Sequence, residues 1–243
     1  MLKNKTIIVT GAGKGLGLET LKQIIKYEGF VYGITRSKKD RIKFKNIKNC
    51  KVFFGDVSNN KIFKKILKES RKDRKTITGL VNNAGIRQRL KFQKINKQKI
   101  NEVFNVNFFS VFENMQLFSK YLGKNKKGSI VNIGSIVGNN GFKELSGYAS
   151  TKTALIGLTK SFAAEMAPFN IRANIINPGF IETSYFEKFK KKKNLYKWTL
   201  SRIPQGKWGK PNDVSHLICF LLSDYSNYIT GTSINVDGGW TGS

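Results

Sequence analysis

A tyrosine and a lysine four residues apart, Tyr148 and Lys152, are the side chains in this sequence best suited to proton transfer. The apolar residues that follow them, Leu155, Leu158 and Phe162, recur at helical spacing, so both side chains project from one face of a predicted helix. A phenol has a reference pKa of about 10, and a neighbouring ammonium favours the phenolate and lowers that pKa. The pair can therefore serve as a general acid-base unit. The alternative is a half-buried tyrosine beside a solvated lysine, because a lysine-rich chain contains this spacing readily by chance.

Three further polar positions belong to the same candidate site. Ser135 follows the fifth predicted strand, and the segment Asn82-Asn-Ala-Gly85 closes the fourth. Asn107 lies inside an apolar run of helical period over residues 103–112. Because open α/β sheets bind ligands at the carboxyl ends of their strands, we expect these side chains to lie near Tyr148. The alternative for Ser135 is a turn cap, and the alternative for the asparagines is hydrogen bonding to backbone groups.

A glycine-rich turn, Thr10-Gly-Ala-Gly-Lys-Gly-Leu-Gly17, joins the first predicted strand to the first predicted helix. Its spacing is Gly11-x3-Gly15-x-Gly17, which departs from the strict G-x-G-x-x-G pattern because position 18 is Leu. In a doubly wound sheet such a turn places backbone N–H groups and a helix N-terminus against a pyrophosphate. The turn therefore predicts phosphate binding, and tight packing alone is the alternative.

The elements that must position these residues alternate regularly. Short runs of β-branched and apolar residues occur at about 6–10, 31–35, 51–55, 78–82, 129–134, 172–176 and 233–236, with helical segments between them. This rhythm predicts an α/β fold built on a doubly wound parallel sheet, the Rossmann fold. No linker, repeat or low-complexity tract divides the chain, so we expect a single domain over residues 1–243.

One stretch, at about residues 184–210, departs from that rhythm. Between Lys188 and Lys210 it holds nine Lys or Arg and no acidic residue. Three aromatic residues interrupt the cations: Tyr196, Trp198 and Trp208. The stretch follows a predicted strand, which places it near the carboxyl edge of the sheet. We predict a mobile lid on the substrate side whose charge favours anionic substrates.

Composition limits the chemistry open to the chain. Its 40% hydrophobic content is typical of a globular protein, and no apolar run reaches the roughly 18 residues of a membrane span. Two cysteines indicate a reducing compartment, so we expect a cytoplasmic protein and no membrane partner. A single histidine, His216, argues against His-rich zinc sites and Ser/His/Asp triads, and we expect no metal.

The formal net charge is +29, from 44 basic and 15 acidic side chains. Concentrated on one face, such a charge would attract nucleic acid or an acidic partner. Lysine is instead abundant throughout, together with Asn, Ile and Phe, which is typical of an AT-rich genome. A basic module that binds nucleic acid or an acidic partner is the alternative from another class, suggested by Trp198 and Trp208 among the lysines. We do not expect nucleic acid as the partner.

Taken together, the motifs resemble the short-chain dehydrogenase/reductase family over essentially the whole chain. The glycine turn resembles the family's cofactor turn, and Asn82-Asn-Ala-Gly85 resembles its structural motif. Pro178-Gly-Phe-Ile-Glu-Thr183 is similar to the loop that holds the nicotinamide carboxamide. Val236-Asp-Gly-Gly239, after Ile229-Thr-Gly231, is similar to the carboxyl-terminal signature. The resemblance implies four catalytic residues, Asn107, Ser135, Tyr148 and Lys152.

The resemblance also implies a nicotinamide cofactor. Its implied contacts are Gly11, Lys14, Gly15, Leu16, Gly17, Arg36, Ser37, Asp56, Val57, Asn83, Ala84, Gly85, Tyr148, Lys152, Pro178, Gly179, Ile181 and Thr183. NAD sites place an acid at the end of the second strand, whereas NADP sites place cations there. Here the second strand is followed by Arg36 and Ser37, with no carboxylate until Asp40, and Lys14 matches a second basic position of the family. We therefore predict NADP(H).

The implied reaction is hydride transfer between the nicotinamide and a carbonyl or secondary alcohol. Tyr148 would exchange the proton with the reacting oxygen, and Ser135 would hold that oxygen. Lys152 would bind the nicotinamide ribose and lower the pKa of Tyr148, while Asn107 would fix a water that refills the proton relay. Family members are commonly homotetramers that pack the tyrosine-bearing helix and the carboxyl-terminal strand across two-fold axes, so the resemblance also implies a homotetramer.

Two substrate classes remain open. The segments 178–183 and 134–138 resemble the 3-oxoacyl-acyl-carrier-protein reductases of fatty acid synthesis, whose acidic carrier needs a basic docking surface. Lys126, Lys127 and Arg172 are candidates for such a surface. A 3-oxoacyl thioester is the expected substrate on this basis.

The other class is a sugar or sugar acid. Arg87 and Arg89 come directly after the Asn-Asn-Ala-Gly motif, where family members line the substrate cleft. Two guanidinium groups there would suit a small carboxylate through bidentate pairing.

Overall fold

The computed structural model describes residues 1–123, 127–183 and 186–242. Within these ranges the molecule is built on one parallel sheet of seven strands, in the order β3-β2-β1-β4-β5-β6-β7. The strands are β1 (Thr6–Thr10), β2 (Phe30–Thr35), β3 (Cys50–Phe54), β4 (Ile77–Asn82), β5 (Gly128–Ile133), β6 (Ile171–Pro178) and β7 (Ser233–Val236). The predicted doubly wound parallel sheet in a single domain is confirmed.

Helices cover both faces of the sheet. They are α1 (Gly15–Lys26), α2 (Arg41–Phe44), α3 (Lys61–Lys72), α4 (Lys97–Phe104), α5 (Ser110–Leu122), α6 (Ser146–Met166), α7 (Phe186–Lys190), α8 (Lys193–Arg202) and α9 (Pro211–Leu222). A π-helical turn, Asn105–Phe109, joins α4 to α5, and 3₁₀ turns occupy Lys38–Asp40 and Ile136–Gly138. The predicted helix that carries Tyr148 and Lys152 is α6.

Alternation along the central strand separates two apolar cores. All five residues of β1 are buried, as expected of a strand covered on both faces. Ile7 and Val9 belong to the core beneath α1 and α9, while Ile8 belongs to the core beneath α3, α5 and α6. Each fully buried aliphatic side chain of this kind contributes about 1.5 to 3 kcal/mol. The sheet is therefore clamped from both sides and can hold its carboxyl edge in a fixed geometry.

Buried amides join the strands to the helices in the middle of the fold. Asn82 Nδ2 donates to Asn132 Oδ1 over 2.9 Å, and Asn114 Nδ2 donates to Asn82 Oδ1 over 3.2 Å. Asn132 Nδ2 in turn donates to Thr159 Oγ1 over 2.9 Å. Buried amides are stable only when hydrogen-bonded, and this ladder ties β4 and β5 to α5 and α6.

The winding of the sheet reverses at β1. This strand pairs with β2 on one side and β4 on the other, so the connections leave it in opposite directions. A crevice forms at such a switch point, outside the carboxyl ends of the two strands, and open α/β sheets bind ligands there. The glycine turn follows β1, and Asn83 follows β4. The fold therefore brings the two sequence motifs to the same crevice.

Six aromatic side chains pack over the carboxyl edge of β5 and β6, and we call them the aromatic roof. They are Phe142, Phe180, Phe186, Phe189, Trp208 and Trp240. Phe180 lies at their centre, with its ring centroid 5.1 Å from that of Trp208 and 4.9 Å from that of Trp240. The roof anchors α7 and α8, which form most of the segment predicted as a lid. Of that segment, Ser184 and Tyr185 lie outside the described residues, and its mobility stays a prediction.

In the part of the chain that the structure describes, no helix is both long and apolar enough to cross a membrane. Within the same ranges, no group of three His, Cys, Asp or Glu side chains is placed to hold a metal ion.

Candidate active site

The glycine turn is locked to the motif that follows β4. Asn83 Nδ2 donates to the Thr10 carbonyl over 3.0 Å, and Thr10 Oγ1 accepts from the backbone N–H groups of Asn83 and Ala84, each over 3.0 Å. Gly17 packs so closely that an added Cβ would collide with the Gly11 carbonyl and Asn83. Gly11 itself has a φ of +69°, a conformation that favours glycine. These contacts account for the glycines and for Asn83 as parts of one rigid turn.

A cleft of about 770 Å³ runs from this turn along the ends of β2 and β3. Of the predicted cofactor contacts, Gly11, Lys14, Arg36, Ser37, Asp56, Val57, Asn83, Ala84 and Gly85 line it. Gly15, Leu16 and Gly17 form the first turn of α1, directly behind it. That helix has no acidic residue in its first turn, so its N–H groups and dipole are open to an anion. A helix N-terminus and two basic side chains, those of Lys14 and Arg36, therefore lie at one cleft.

The end of this cleft beside β2 holds the carboxylate of Asp40, a residue that follows the strand by several positions in the sequence. The 3₁₀ turn after β2 folds back, and Asp40 Oδ2 accepts from Thr35 Oγ1 over 2.7 Å. The expectation that no acid reaches the end of the second strand is therefore wrong. Asp40 lines the cleft together with Lys14 and Arg36, and Lys43 donates to its other oxygen over 2.7 Å.

Asp56, one of the implied cofactor contacts, follows β3 in a local turn. Its Oδ1 accepts from Ser58 N over 2.9 Å and from Ser58 Oγ over 2.7 Å. The hydrogen bond from the Ser58 backbone, against a smaller opposing effect of burial, holds the pKa of Asp56 below its usual value. The hydroxyl of Ser58 and the charge of Arg36 act in the same direction, so Asp56 is an anion at neutral pH.

A second cavity, of about 130 Å³, lies between β5, α6 and the loop after β6. Ser135, Tyr148 and Gly179 line it, together with Phe142 and Phe180 of the aromatic roof. Arg87 lines both this cavity and the larger cleft, so the two lie next to each other at this residue. The predicted catalytic hydroxyls thus adjoin the predicted cofactor cleft.

The phenol of Tyr148 is tuned by its surroundings. Burial raises the pKa of Tyr148 above its usual value, and the hydrogen bond with Ser135 and the charge of Arg87 oppose part of that rise. Lys152 is not among the groups that lower it, so the expected effect of the ammonium on the phenol is not what the structure shows. At neutral pH Tyr148 is a protonated phenol, which is the form that can donate a proton.

Lys152 is buried, with 5% of its surface exposed. Its Nζ donates to the Ile133 carbonyl over 2.7 Å and lies 5.7 Å from the centroid of the Tyr148 ring. Burial lowers the pKa of Lys152 to about 8. A Cβ added at Gly85 would lie 3.8 Å from this Nζ, so the lysine borders the large cleft at its inner end.

Ser135 and Asn107 also hold their surroundings together. Ser135 Oγ accepts from Val137 N over 3.2 Å and so caps the 3₁₀ turn after β5, in addition to facing Tyr148. Asn107 is fully buried in the π-helical turn, where its amide bonds both backbone groups of Ile86, over 2.8 and 2.9 Å. Its Nδ2 also reaches Thr151 Oγ1 over 3.2 Å. π-turns are common at functional sites, and this one is tied through Asn107 to Thr151 of α6, the residue before Lys152.

The loop after β6 closes the far side. Pro178 ends the strand, Gly179 N donates to the Val236 carbonyl over 2.9 Å, and Ile181 pairs with Gly209. A Cβ added at Gly15 would lie 3.4 Å from Thr183 Cβ, so this loop approaches the glycine turn across the cleft. The position is consistent with the predicted contacts to the nicotinamide end.

Several basic and aromatic residues are held by the fold itself. Arg172 donates to the carbonyls of Leu221, Ser223 and Ile229, so its guanidinium is a structural group and not an open docking site. Trp208 is 6% exposed, and its indole N–H donates to Thr199 Oγ1 over 2.9 Å, which removes it as a stacking platform. Lys126 lies outside the described residues.

The two arginines after the Asn-Asn-Ala-Gly motif differ in their environment. Arg89 Nε lies 3.3 Å from Glu144 Oε2 in an ion pair. Arg87 instead lines both cavities of the site. Of these two arginines, Arg87 is the one that lines the cavity with Tyr148.

Comparisons with known proteins agree with this geometry. The family model described as "Enoyl-(Acyl carrier protein) reductase" matches residues 11–241. The 3-oxoacyl-[acyl-carrier-protein] reductase FabG of Thermotoga maritima is 36% identical, with 98% of each chain covered. The 2-dehydro-3-deoxy-D-gluconate 5-dehydrogenase of Bacillus subtilis is 34% identical over 98% of this chain and 95% of its own.

Solved structures agree as well. A putative 2-deoxy-D-gluconate 3-dehydrogenase from Agrobacterium tumefaciens with bound NADP has a TM-score of 0.88 at 32% identity, covering 100% of this chain and 98% of its own. A 4-hydroxyisoleucine dehydrogenase complexed with NADH has a TM-score of 0.89 at 30% identity, covering 98% of this chain and 99% of its own.

Proposed function

Because the chain belongs to the short-chain dehydrogenase/reductase family, we propose that it is an NADP(H)-dependent oxidoreductase acting on a carbonyl or secondary alcohol. When bound, the nicotinamide would supply or accept the hydride. The single observation that carries the proposal is that Arg87 lines both cavities, so the cavity of Tyr148 and Ser135 neighbours the cleft of the glycine turn. Solved relatives with bound NADP support the cofactor.

The residues of the larger cleft fit a phosphorylated dinucleotide. The glycines let the turn pack closely against Asn83 and the end of β2, and the N-terminus of α1 follows the turn directly. Lys14 and Arg36 line the adenosine end, and cations there suit a 2′-phosphate. In this proposal Lys152, at the inner end of the cleft, holds the nicotinamide ribose.

The chain's own residues would move the proton. Tyr148 is held protonated by burial, so in the reducing direction its hydroxyl donates to the developing alkoxide. Ser135, which already bonds the Tyr148 hydroxyl, would position the substrate oxygen beside it. Asn107 holds the Ile86 backbone at the edge of the cleft, and there it would order the water that returns a proton to the relay.

For the substrate, we propose a 3-oxoacyl thioester. The likeness to the Thermotoga maritima reductase over the whole chain supports this choice, and the loop 178–183 matches that class of enzyme. The test is oxidation of NADPH by the purified protein with an acetoacetyl thioester, set beside reduction of NADP⁺ with sugar acids, whose secondary alcohols would donate the hydride. Turnover confined to the sugar acids would refute the thioester.

One observation favours a sugar acid or another small carboxylate as the second candidate. The cavity beside Tyr148 holds only about 130 Å³ and places Arg87 within reach of its contents. A guanidinium there would pair bidentately with a carboxylate. The likeness to the 2-dehydro-3-deoxy-D-gluconate 5-dehydrogenase of Bacillus subtilis supports this candidate. An Arg87→Leu variant that loses turnover of a sugar acid while keeping that of a neutral ketone would favour it.

We also propose that the protein is a homotetramer. Phe109 is 50% exposed and Phe112 is 46% exposed, an apolar face beside α5 that a second copy would cover. Light scattering at several protein concentrations measures the oligomer directly. A monomer at the highest concentration would contradict this proposal without touching the reaction.

Of the two tryptophans that suggest a nucleic-acid module, Trp208 is buried and unavailable for stacking, whereas Trp198 is 46% exposed. A salt-dependent gel shift with random DNA, beside the NADPH assay, would separate the two functions.

A further inference from the structure

The carboxylate of Asp40 lies inside the part of the cleft where cations also gather. Its side chain is 14% exposed, and it lines the cleft beside Thr35, Arg36 and Lys14. The residue comes from the 3₁₀ turn after β2, four positions beyond Arg36. An acid at this end of a dinucleotide cleft accepts from a ribose 2′-hydroxyl and repels a 2′-phosphate. Its presence therefore works against the neighbouring cations.

Two hydrogen bonds and one glycine fix this position. Thr35 Oγ1 donates to Asp40 Oδ2 over 2.7 Å, and Lys43 Nζ donates to Asp40 Oδ1 over 2.7 Å. Gly13 lies so close that an added Cβ would collide with Asp40 Oδ2 and Thr35 Oγ1. Burial works to raise the pKa of Asp40, but the bonds from Lys43 and Thr35 hold it below its usual value, so the carboxylate is charged at neutral pH.

Lys43 links this acid to the glycine turn. Its Nζ donates both to Asp40 and to the Gly13 carbonyl, the latter over 2.8 Å. Its side chain is 42% exposed, so the ammonium stays in contact with solvent at the rim of the cleft. The charge of Lys43 thus offsets that of Asp40 beside the turn that carries Lys14.

We propose that Asp40 and Lys43 are opposing specificity residues, which set how strongly the cleft prefers a 2′-phosphorylated nucleotide to one with a free 2′-hydroxyl. Asp40 weakens binding of the 2′-phosphate and accepts from the 2′-hydroxyl, and Lys43 cancels part of that effect. The proposal rests on the proposed function, because it assigns roles to residues of the same cofactor cleft. It implies that the wild-type protein retains measurable affinity for the non-phosphorylated nucleotide.

The test is calorimetric titration with 2′,5′-ADP and with 5′-AMP, which differ by the 2′-phosphate alone. The measured quantity is the ratio of their affinities in the wild type, Asp40→Asn and Lys43→Gln. One charged contact with a phosphate corresponds to roughly a tenfold change in affinity, so we expect Asp40→Asn to raise the ratio about tenfold and Lys43→Gln to lower it about fivefold. Lys39→Gln is the matched control, since this exposed lysine belongs to the same turn as Asp40 but, unlike Lys43, forms neither a hydrogen bond nor an ion pair with its carboxylate. Its ratio should stay within twofold.

An unchanged or lowered ratio in Asp40→Asn would overturn the proposal. Equal weakening of both nucleotides in Asp40→Asn would also overturn it, because that result marks Asp40 as structural support for the turn. If the wild type bound neither nucleotide, the cofactor cleft itself would be refuted and the proposal with it. A higher affinity ratio in Asp40→Asn and a lower one in Lys43→Gln, with no change in Lys39→Gln, would establish Asp40 and Lys43 as opposing specificity residues.

Discussion

Replacing Tyr148 by phenylalanine removes the hydroxyl at the reacting oxygen and leaves the ring in place. General acid-base groups contribute roughly 10² to 10⁴-fold, or about 3 to 5 kcal/mol. Burial keeps the pKa of Tyr148 above its usual value, so at neutral pH the phenol carries the proton that the reaction uses, and the substitution removes that whole contribution. We therefore expect kcat to fall within that range, by about 10² to 10⁴-fold.

The assay is steady-state turnover of NADPH with the best carbonyl substrate, paired with calorimetric binding of NADPH. Binding should change by less than threefold, because the packing of the ring is kept. Tyr228→Phe is the matched control, since that tyrosine is fully exposed and lines the cavity at the opposite edge of the sheet, where Lys5 and Arg172 also lie. It should match the wild type in both measurements.

Turnover by Tyr148→Phe within threefold of wild type would refute the mechanism. A variant that loses NADPH binding and turnover together would instead show that the hydroxyl supports the fold of the site. In that case the assignment of Tyr148 as the proton donor would lose its basis.

Three further predictions concern charge. We expect NADPH to be preferred to NADH at least tenfold in kcat/KM, since charge-assisted hydrogen bonds are worth roughly 1.5 to 3 kcal/mol each. Arg36→Asp should erase the preference mainly through KM. Equal kcat/KM for both nucleotides in the wild type would refute the role of Arg36. If the cations of residues 188–210 steer substrate, kcat/KM for an anionic substrate should fall with rising salt more steeply than for a neutral one, and equal slopes would leave those lysines as solvated surface. Burial lowers the pKa of Lys152 to about 8, so at pH 7 the folded protein holds a buried charge at a cost, and the free energy of unfolding should rise as pH increases from about 8 towards the pKa of lysine in the unfolded chain. Lys152→Met should therefore raise the free energy of unfolding at pH 7 by about 1 to 3 kcal/mol while abolishing turnover. A variant that is less stable than the wild type in thermal denaturation would contradict this expectation.

The sheet could be read from the sequence because buried parallel strands are continuous apolar runs. Ile7 and Val9 pack on one face of β1 and Ile8 on the other, and all three are apolar, as expected of a strand covered on both sides. The meeting of Ser135, Tyr148 and Asn83 at one edge followed from the same rule, since strand ends of a parallel sheet share an edge. These features depend on local pattern and on topology alone.

The position of Asp40 could not be read in this way. Its carboxylate reaches Thr35 because three residues form a 3₁₀ turn and because Gly13, from a different element, leaves room for it. Hydrophobic periodicity can be recognised only over longer segments, so it does not predict a 3₁₀ turn of three residues. The five residues that separate Asp40 from Thr35 in the sequence therefore did not indicate that the two side chains are in contact.

The environment of Tyr148 was also beyond the sequence. Spacing predicts that Lys152 and Tyr148 share a helix face, and they do. Whether the phenol is easier or harder to ionise depends on burial, which here is the largest effect and raises the pKa. The aromatic roof was missed for a related reason, because Trp240 meets Phe142 and Phe180 only after the whole sheet is assembled.

The buried amide ladder between β4 and β5 bears on how the chain finds its fold. Three neighbouring strands have similar apolar sequences with asparagines at or near their carboxyl ends, Asn82, Asn132 and Asn177, so slipped pairings would bury almost the same hydrophobic surface. Asn82 and Asn132 are register partners. If β5 slipped by one residue along β4, the Asn132 amide would turn to the other face of the sheet, and its hydrogen bond with Asn82 would be lost. Contacts in a parallel sheet form slowly, because they join distant parts of the chain. The unpaired amides would destabilise misregistered sheets relative to the native one, and so would favour the correct register during folding.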